Sequence, residues 1–200
     1  MTREDWLNES IVKLRPWFAE TGFAVPDKVR ASIGWPSAKG LSKKKRVIGE
    51  CWSHECSTDG FIEIFVSPYL GEPYETIETL LHEMIHGTVG IKEGHKGDFI
   101  RVAKSLGFDK PWTKTPATDS LRNRLMDLLT ELPGFPGSKL DMAAIEAGAK
   151  KPQSTRMIKA ECGDCGYTVR LTRKWMAAGL PLCPTHRIEM VTEEKDDDDE

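Results

Sequence analysis

Three of the five histidines in this 200-residue chain fall within fourteen positions, in LLHEMIHGTVGIKEGHKGDF at 80–99. His82 and His86 stand four apart in His82-Glu83-Met84-Ile85-His86. On a helix such positions lie one above the other, so both imidazoles can reach one ion. Glu83 then sits beside that ion, where it can take a proton from water. A zinc ion with three protein ligands keeps its fourth position open and lowers the pKa of a bound water to about 7. His95 is the candidate third ligand, because Gly94 and Gly97 let the chain turn back under the helix. Glu93 and Asp98 lie in the same turn and offer oxygen ligands instead. With His95 the pattern is H-E-x-x-H-x8-H, which is not the metzincin spacing. The competing reading places His82 and His86 on the polar face of an ordinary amphipathic helix.

A second constellation lies near the C-terminus. Cys162-x2-Cys165 is separated by seventeen residues from Cys183-x2-His186. Two ligand pairs at this distance are the signature of a closed, tetrahedral structural zinc site. With all four positions filled by protein, such an ion stabilises the fold and performs no chemistry. The alternative is a metal-free set in which Cys162 and Cys165 form a redox pair. Around it lie Lys150, Lys151, Arg156, Lys159, Arg170, Arg173, Lys174 and Arg187, with Tyr167 and Trp175 among them. Lys159, Arg170, Arg173, Lys174 and Trp175 are the candidate nucleic-acid contacts, since cations track phosphates and aromatics stack on bases. A merely solvated basic face is the alternative. CWSHEC at 51–56 lacks a nearby fourth ligand, and its strand-like surroundings predict ordinary buried cysteines.

The elements that must position these groups are legible as patterns. Trp6, Ile11, Leu14 and Phe18 recur at helical intervals up to Gly22, with Pro16 expected to kink or divide the helix. KVRASIGWP, KKRVIGECWS and GFIEIFVSP read as three short strands of a small antiparallel or mixed sheet, able to form a cleft edge. KKKR at 43–46 reads as a solvated hairpin turn. From Pro73 to about Val89, the residues Ile77, Leu80, Leu81, Met84 and Ile85 form one apolar stripe carrying the histidines. DFIRVAKSLG and about 117–131 are further helices, and YTVRLTRKW alternates like a strand. The expected organisation is a catalytic domain over 1–131, a Pro/Gly-rich linker over 132–155, a Cys/His domain over 156–191 and an acidic tail over 192–200.

The formal net charge of -3 averages unlike segments: residues 139–191 carry nine basic and five acidic side chains, and 192–200 one and seven. The tail cannot bury itself and is expected to be disordered. The charged N-terminus, with no long apolar run, predicts a cytoplasmic protein without a membrane span. Five cysteines in a reducing compartment suit metal binding better than disulfides.

The order of parts resembles the SprT-like metallopeptidases, related to Spartan, over residues 10–190. It rests on TLLHEMIHGTVGIKEGHKGDF and the Cys/His knot, and TRKWMAAGLPLCP looks most like the SprT-like proteins of bacteriophages. The resemblance implies an α+β, zincin-like metallopeptidase domain with a C-terminal zinc ribbon. It implies His82, His86 and His95 as ligands of a catalytic zinc, Glu83 as general base and a structural zinc in the ribbon. It also implies protein substrates, among them proteins attached to DNA, and, for a phage protein, the host cytoplasm; a monomer is expected. A non-catalytic nucleic-acid-binding zinc protein is the competing class. No oxyanion stabiliser is evident, although Tyr69 and Tyr74 lie near the motif in sequence.

Overall fold

The computed structural model describes residues 1–42, 44–137, 139–148 and 157–192, and shows a mixed α+β protein. It divides into two compact units, Met1–Ala147 and Gly148–Glu200. Among the described residues no helix is long and apolar enough to cross a membrane.

The first unit opens with α1 (Arg3–Glu20). Thr2 caps it reciprocally with Asp5, which satisfies two backbone donors that a helix start leaves unpaired. Trp6, Leu7, Ile11, Leu14 and Phe18 are all buried, as their spacing requires. Of the two expected effects of Pro16, division of the helix does not occur: α1 runs unbroken through it. The carbonyl it deprives of a partner belongs to Val12, which is 64 % exposed and open to water, while Trp17 and Phe18 hold the next turn in the core.

Strands β1 (Val29–Ile33), β2 (Gly49–Trp52) and β3 (Ile62–Val66) form one sheet in the order β1-β3-β2. β1 runs parallel to β3 and β2 antiparallel to it. Because β1 and β2 flank β3 and do not pair with each other, the loop carrying KKKR is no hairpin turn. Lys44 and Lys45 are exposed, and residue 43 lies outside the described set. The two sheet edges differ. Along β1, the Asn8 side chain donates to the Ala31 carbonyl (2.8 Å) and accepts from the Ala31 N–H (3.0 Å), as a neighbouring strand would. Among the described residues β2 has no such side-chain cover, and it borders a cleft.

Helix α2 (Pro73–Val89) lies across the sheet and buries Ile77, Leu80, Leu81, Met84 and Ile85. Each such side chain withdrawn from water contributes about 1.5–3 kcal/mol. A short turn, Ile91–Glu93, leads to α3 (Gly97–Leu106), whose Phe99, Val102 and Leu106 pack into the same core. α4 (Asp119–Glu131), capped by Thr118, adds Leu121, Leu125 and Leu128. The expected linker begins too early. Leu132 is buried, Phe135 meets Trp6 edge-on at 4.8 Å, and a short α5 (Met142–Gly148) follows, so the first unit continues to Ala147.

The second unit has a three-stranded antiparallel sheet ordered β5-β4-β6, from β4 (Ile158–Glu161), β5 (Thr168–Leu171) and β6 (Val191–Thr192). The expected strand stops at Leu171, and Lys174 and Trp175 instead belong to helix α6 (Arg173–Ala178). Its apolar core is small: Ala160, Cys162, Cys183 and Met190. The acidic tail from residue 193 lies outside the described residues.

Candidate metal centres

α2 is rigidly buried along one stripe, and that fixes where its other residues point. His82 and His86 emerge one turn apart, and the chain returns His95 to them through the Ile91–Glu93 turn. Gly94 (φ 56°) and Gly97 (φ 48°) flank His95 in the left-handed region, which explains why glycine stands at both. Nε2 of His95 lies 3.2 Å from that of His82 and 3.3 Å from that of His86. Zinc–nitrogen bonds of 2.0–2.1 Å in a tetrahedral arrangement place the nitrogens about 3.3 Å apart. The three imidazoles therefore fit a zinc ion, with one position left over. Neither Glu93 nor Asp98 joins them. Asp98 pairs with Arg101 at 2.9 Å, and the Glu93 carboxylate lies against Gly97.

All three rings surround Phe99, with centroids 5.2, 4.5 and 4.9 Å from it for His82, His86 and His95. Phe99 is fully buried and forms the floor on which the three imidazoles rest. Burial, followed by the neighbouring histidines, pushes His82 down to about 3 and His86 to about 4; burial lowers His95 as well. Neutral imidazoles are the ligating form. Nδ1 of His82 lies 2.6 Å from the Thr115 hydroxyl, the outer partner a ligating histidine normally has. Thr115 is 1 % exposed and holds φ at +41°, a conformation that costs a β-branched residue about 1–3 kcal/mol. Nothing in its sequence context, PWTKTP, marks it, because its role arises only where the loop before α4 meets α2.

Glu83 is 7 % exposed. Burial, then the nearby Glu50 charge, raises its carboxyl to about 8. It lies against Gly49 of β2 so closely that a Cβ there would stand 2.5 Å from Glu83 Oε1 and 2.7 Å from Thr79 Cγ2. Glycine at 49 therefore admits Glu83 to the cleft. The cleft has a volume of about 590 Å³ and is bounded by β2 and the residues before it (46–51), by α2 and by Thr113–Thr115. Cys51 is half-buried on this wall and Cys56 is exposed, so the pair are not ordinary core cysteines. Burial and then the Glu83 charge push the Cys51 thiol up, away from the thiolate a ligand or nucleophile needs. Neither Tyr69 nor Tyr74 lines the cleft. Tyr69 lies under Arg46 (4.1 Å), and the Tyr74 hydroxyl donates to Glu78 (3.2 Å).

In the second unit, Cys162, Cys165, Cys183 and His186 converge. Sγ of Cys165 lies 3.7 Å from that of Cys183, and Nδ1 of His186 lies 3.6 Å from Cys162 Sγ and 3.9 Å from Cys183 Sγ. Zinc–sulfur bonds of about 2.3 Å predict tetrahedral edges of roughly 3.6–3.8 Å, so this Cys3His set also fits zinc. The two ligand loops are built alike. The Cys162 N–H donates to the Tyr167 carbonyl and the Gly166 N–H to that of Cys162; Cys183, Ile188 and Arg187 repeat the pattern. Backbone N–H groups of Cys165 and Asp164 aimed at Cys162 lower its thiol pKa, which favours the ligating thiolate. Tyr167 and Trp175 are exposed, as are Arg170, Arg173 and Lys174. Lys159 pairs with Glu161, which reduces its charge as a phosphate contact. Lys150, Lys151 and Arg156 lie outside the described residues.

The chain matches no protein-family model, no curated protein and no solved structure.

Proposed function

We propose that the chain is a zinc metallopeptidase with a zincin-like first unit and a C-terminal zinc ribbon. The observation that carries the reading is the convergence of three neutral imidazoles, with one tetrahedral position left over, in a cleft that also holds a buried carboxyl. Zinc at such a site supplies a Lewis acid for a carbonyl oxygen and a water acidic enough to react near neutral pH. Glu83 takes the proton of the attacking water and delivers it to the leaving amine nitrogen. A cation beside it opposes the burial that raises its pKa, leaving it ionised as a base.

A peptide substrate is supported by the sheet edge. The Ser67 N–H donates to the Ile48 carbonyl at 2.9 Å, so the alternation of an antiparallel ladder turns the backbone groups of Gly49 and Cys51 away from β3. An extended peptide can pair there and lie along the histidines. Exposed Trp175 with Lys174, Arg170 and Arg173 supports contact with nucleic acid and hence DNA-associated proteins as substrates. The non-catalytic alternative keeps this binding and lacks hydrolysis.

The test uses the zinc-loaded full chain on a mixed peptide library, with products read by mass spectrometry. Glu83→Gln is expected to lower cleavage by about 10²–10⁴-fold while both zincs remain. No cleavage by the wild type, with nucleic-acid binding intact, selects the binding protein instead.

A further inference from the structure

We propose that Thr115 is a positioning residue that holds His82 in the Nδ1–H tautomer, leaving Nε2 free for the ion. The inference rests on the metal reading of His82, His86 and His95. Its basis is the 2.6 Å contact between Nδ1 of the half-buried His82 and Oγ1 of the buried Thr115. An imidazole carries one proton when neutral, so donation from Nδ1 to the hydroxyl strips Nε2 of its own. The reverse arrangement, with the hydroxyl donating to Nδ1, puts the proton on Nε2 and closes the position that faces His95.

The loop is built to hold that hydroxyl in place. The N–H groups of Lys114 and Thr115 both donate to the Pro111 carbonyl at 2.8 Å. The Asp109 N–H donates to the Pro116 carbonyl at 2.9 Å, and the Ala117 N–H to Glu78 Oε1 at 3.3 Å. Glu78 stands one helical turn before His82, so α2 grips the loop at two successive turns. Thr115 also keeps a positive φ that a β-branched side chain resists, and a strained residue persists only where its surroundings over-determine it. By contrast, Nδ1 of His86 is buried and has no partner among the described residues. His86 is oriented by ring contacts with Phe99, His82 and His95, so the hydrogen-bonded restraint from outside the cluster falls on His82.

The experiment measures zinc affinity of the full chain by competition with a chromogenic chelator. Wild type, Thr115→Val and Thr115→Ser are compared, with Cys162→Ser marking the second zinc. Thr115→Val keeps the shape and the backbone strain but removes the acceptor. One of the two zincs is expected to bind about 10–100-fold more weakly, the other to be unchanged, and Thr115→Ser to restore the loss. Imidazole ¹⁵N spectra of the loaded protein are expected to show His82 protonated at Nδ1 in the wild type. Should Thr115→Val not fold, Thr115→Gly relaxes the positive φ and carries the same expectation. Two zincs bound by Thr115→Val with wild-type affinity overturn the proposal and leave the metal site standing. A wild type holding only the zinc that Cys162→Ser removes overturns the metal reading itself, and this inference with it.

Discussion

Replacing Gly49 with alanine probes a close approach of the β2 backbone to Glu83 in the cleft. The added methyl would stand 2.5 Å from Glu83 Oε1, 2.7 Å from Thr79 Cγ2 and 2.8 Å from Glu83 Cγ. Ordinary contact begins near 3.4 Å, so these neighbours must retreat by about 0.6–0.9 Å. Thr79 is β-branched and buried in α2, and its χ1 has little freedom. Glu83 Cγ is one bond from the helix-fixed Cβ, so its carboxylate cannot clear the methyl without leaving its place. Overpacking of this kind costs about 1–3 kcal/mol, and each kcal/mol lowers Tm by ~2–4 °C in a unit of this size. If Glu83 is the general base proposed above, its displacement by nearly 1 Å costs far more in rate, about 10²-fold. On the proposed metallopeptidase reading, Gly49→Ala is therefore expected to fold, to bind zinc as the wild type does and to cleave the peptide library about a hundredfold more slowly. Wild-type turnover by a folded, zinc-loaded Gly49→Ala protein would refute the argument that the Gly49 approach sets Glu83.

Phe99→Leu, which leaves a cavity at a fully buried site, is expected to cost about 1–3 kcal/mol by chemical denaturation and, on the metal reading, to weaken zinc binding at the histidine cluster, because the three rings lose their common floor. Equal chelator competition by mutant and wild type would show that the ring packing is incidental. Arg187 holds φ at 56° in the loop position where its counterpart is Gly166, so Arg187→Gly is expected to be neutral or to stabilise the second unit by up to ~1 kcal/mol. A clear loss of stability would mean that the arginine side chain is needed there. Glu63 is held below the usual carboxylate range, first by its hydrogen bond from Arg30 and then by Ser57. Its stabilisation is therefore complete above the unfolded value of about 4.3 and is lost as pH falls through the lower folded value. Glu63→Gln should lower Tm near neutrality and flatten its acid-side decline, which a melting series from pH 3 to 7 would reveal.

Period and spacing carried much of the architecture. The apolar stripe of α2, with Pro73 at its first turn, specified a helix and its buried face together, and so placed His82 and His86 on one line. The glycines about His95 and the two ligand pairs near the C-terminus were equally visible, because metal geometry tolerates few spacings. Pro16 leaves the helix undivided because its next turn is anchored in a core and the carbonyl it frees faces water. Leu132 and Phe135 were hidden by the surrounding Pro and Gly, since composition does not register that Trp6 waits to receive a ring.

What local sequence determined here is what local physics can determine: element type, the buried face, the ligand types and the turns that return them. Tertiary structure alone decided the partners. It set Gly49 against Glu83, Phe99 beneath three imidazoles and Thr115 against His82, across separations of 34, 4 to 17 and 33 positions. These contacts exist only once the sheet edge, α3 and the loop before α4 have closed around α2, because hydrogen bonding and close packing act over a few ångströms in space and are indifferent to distance along the chain.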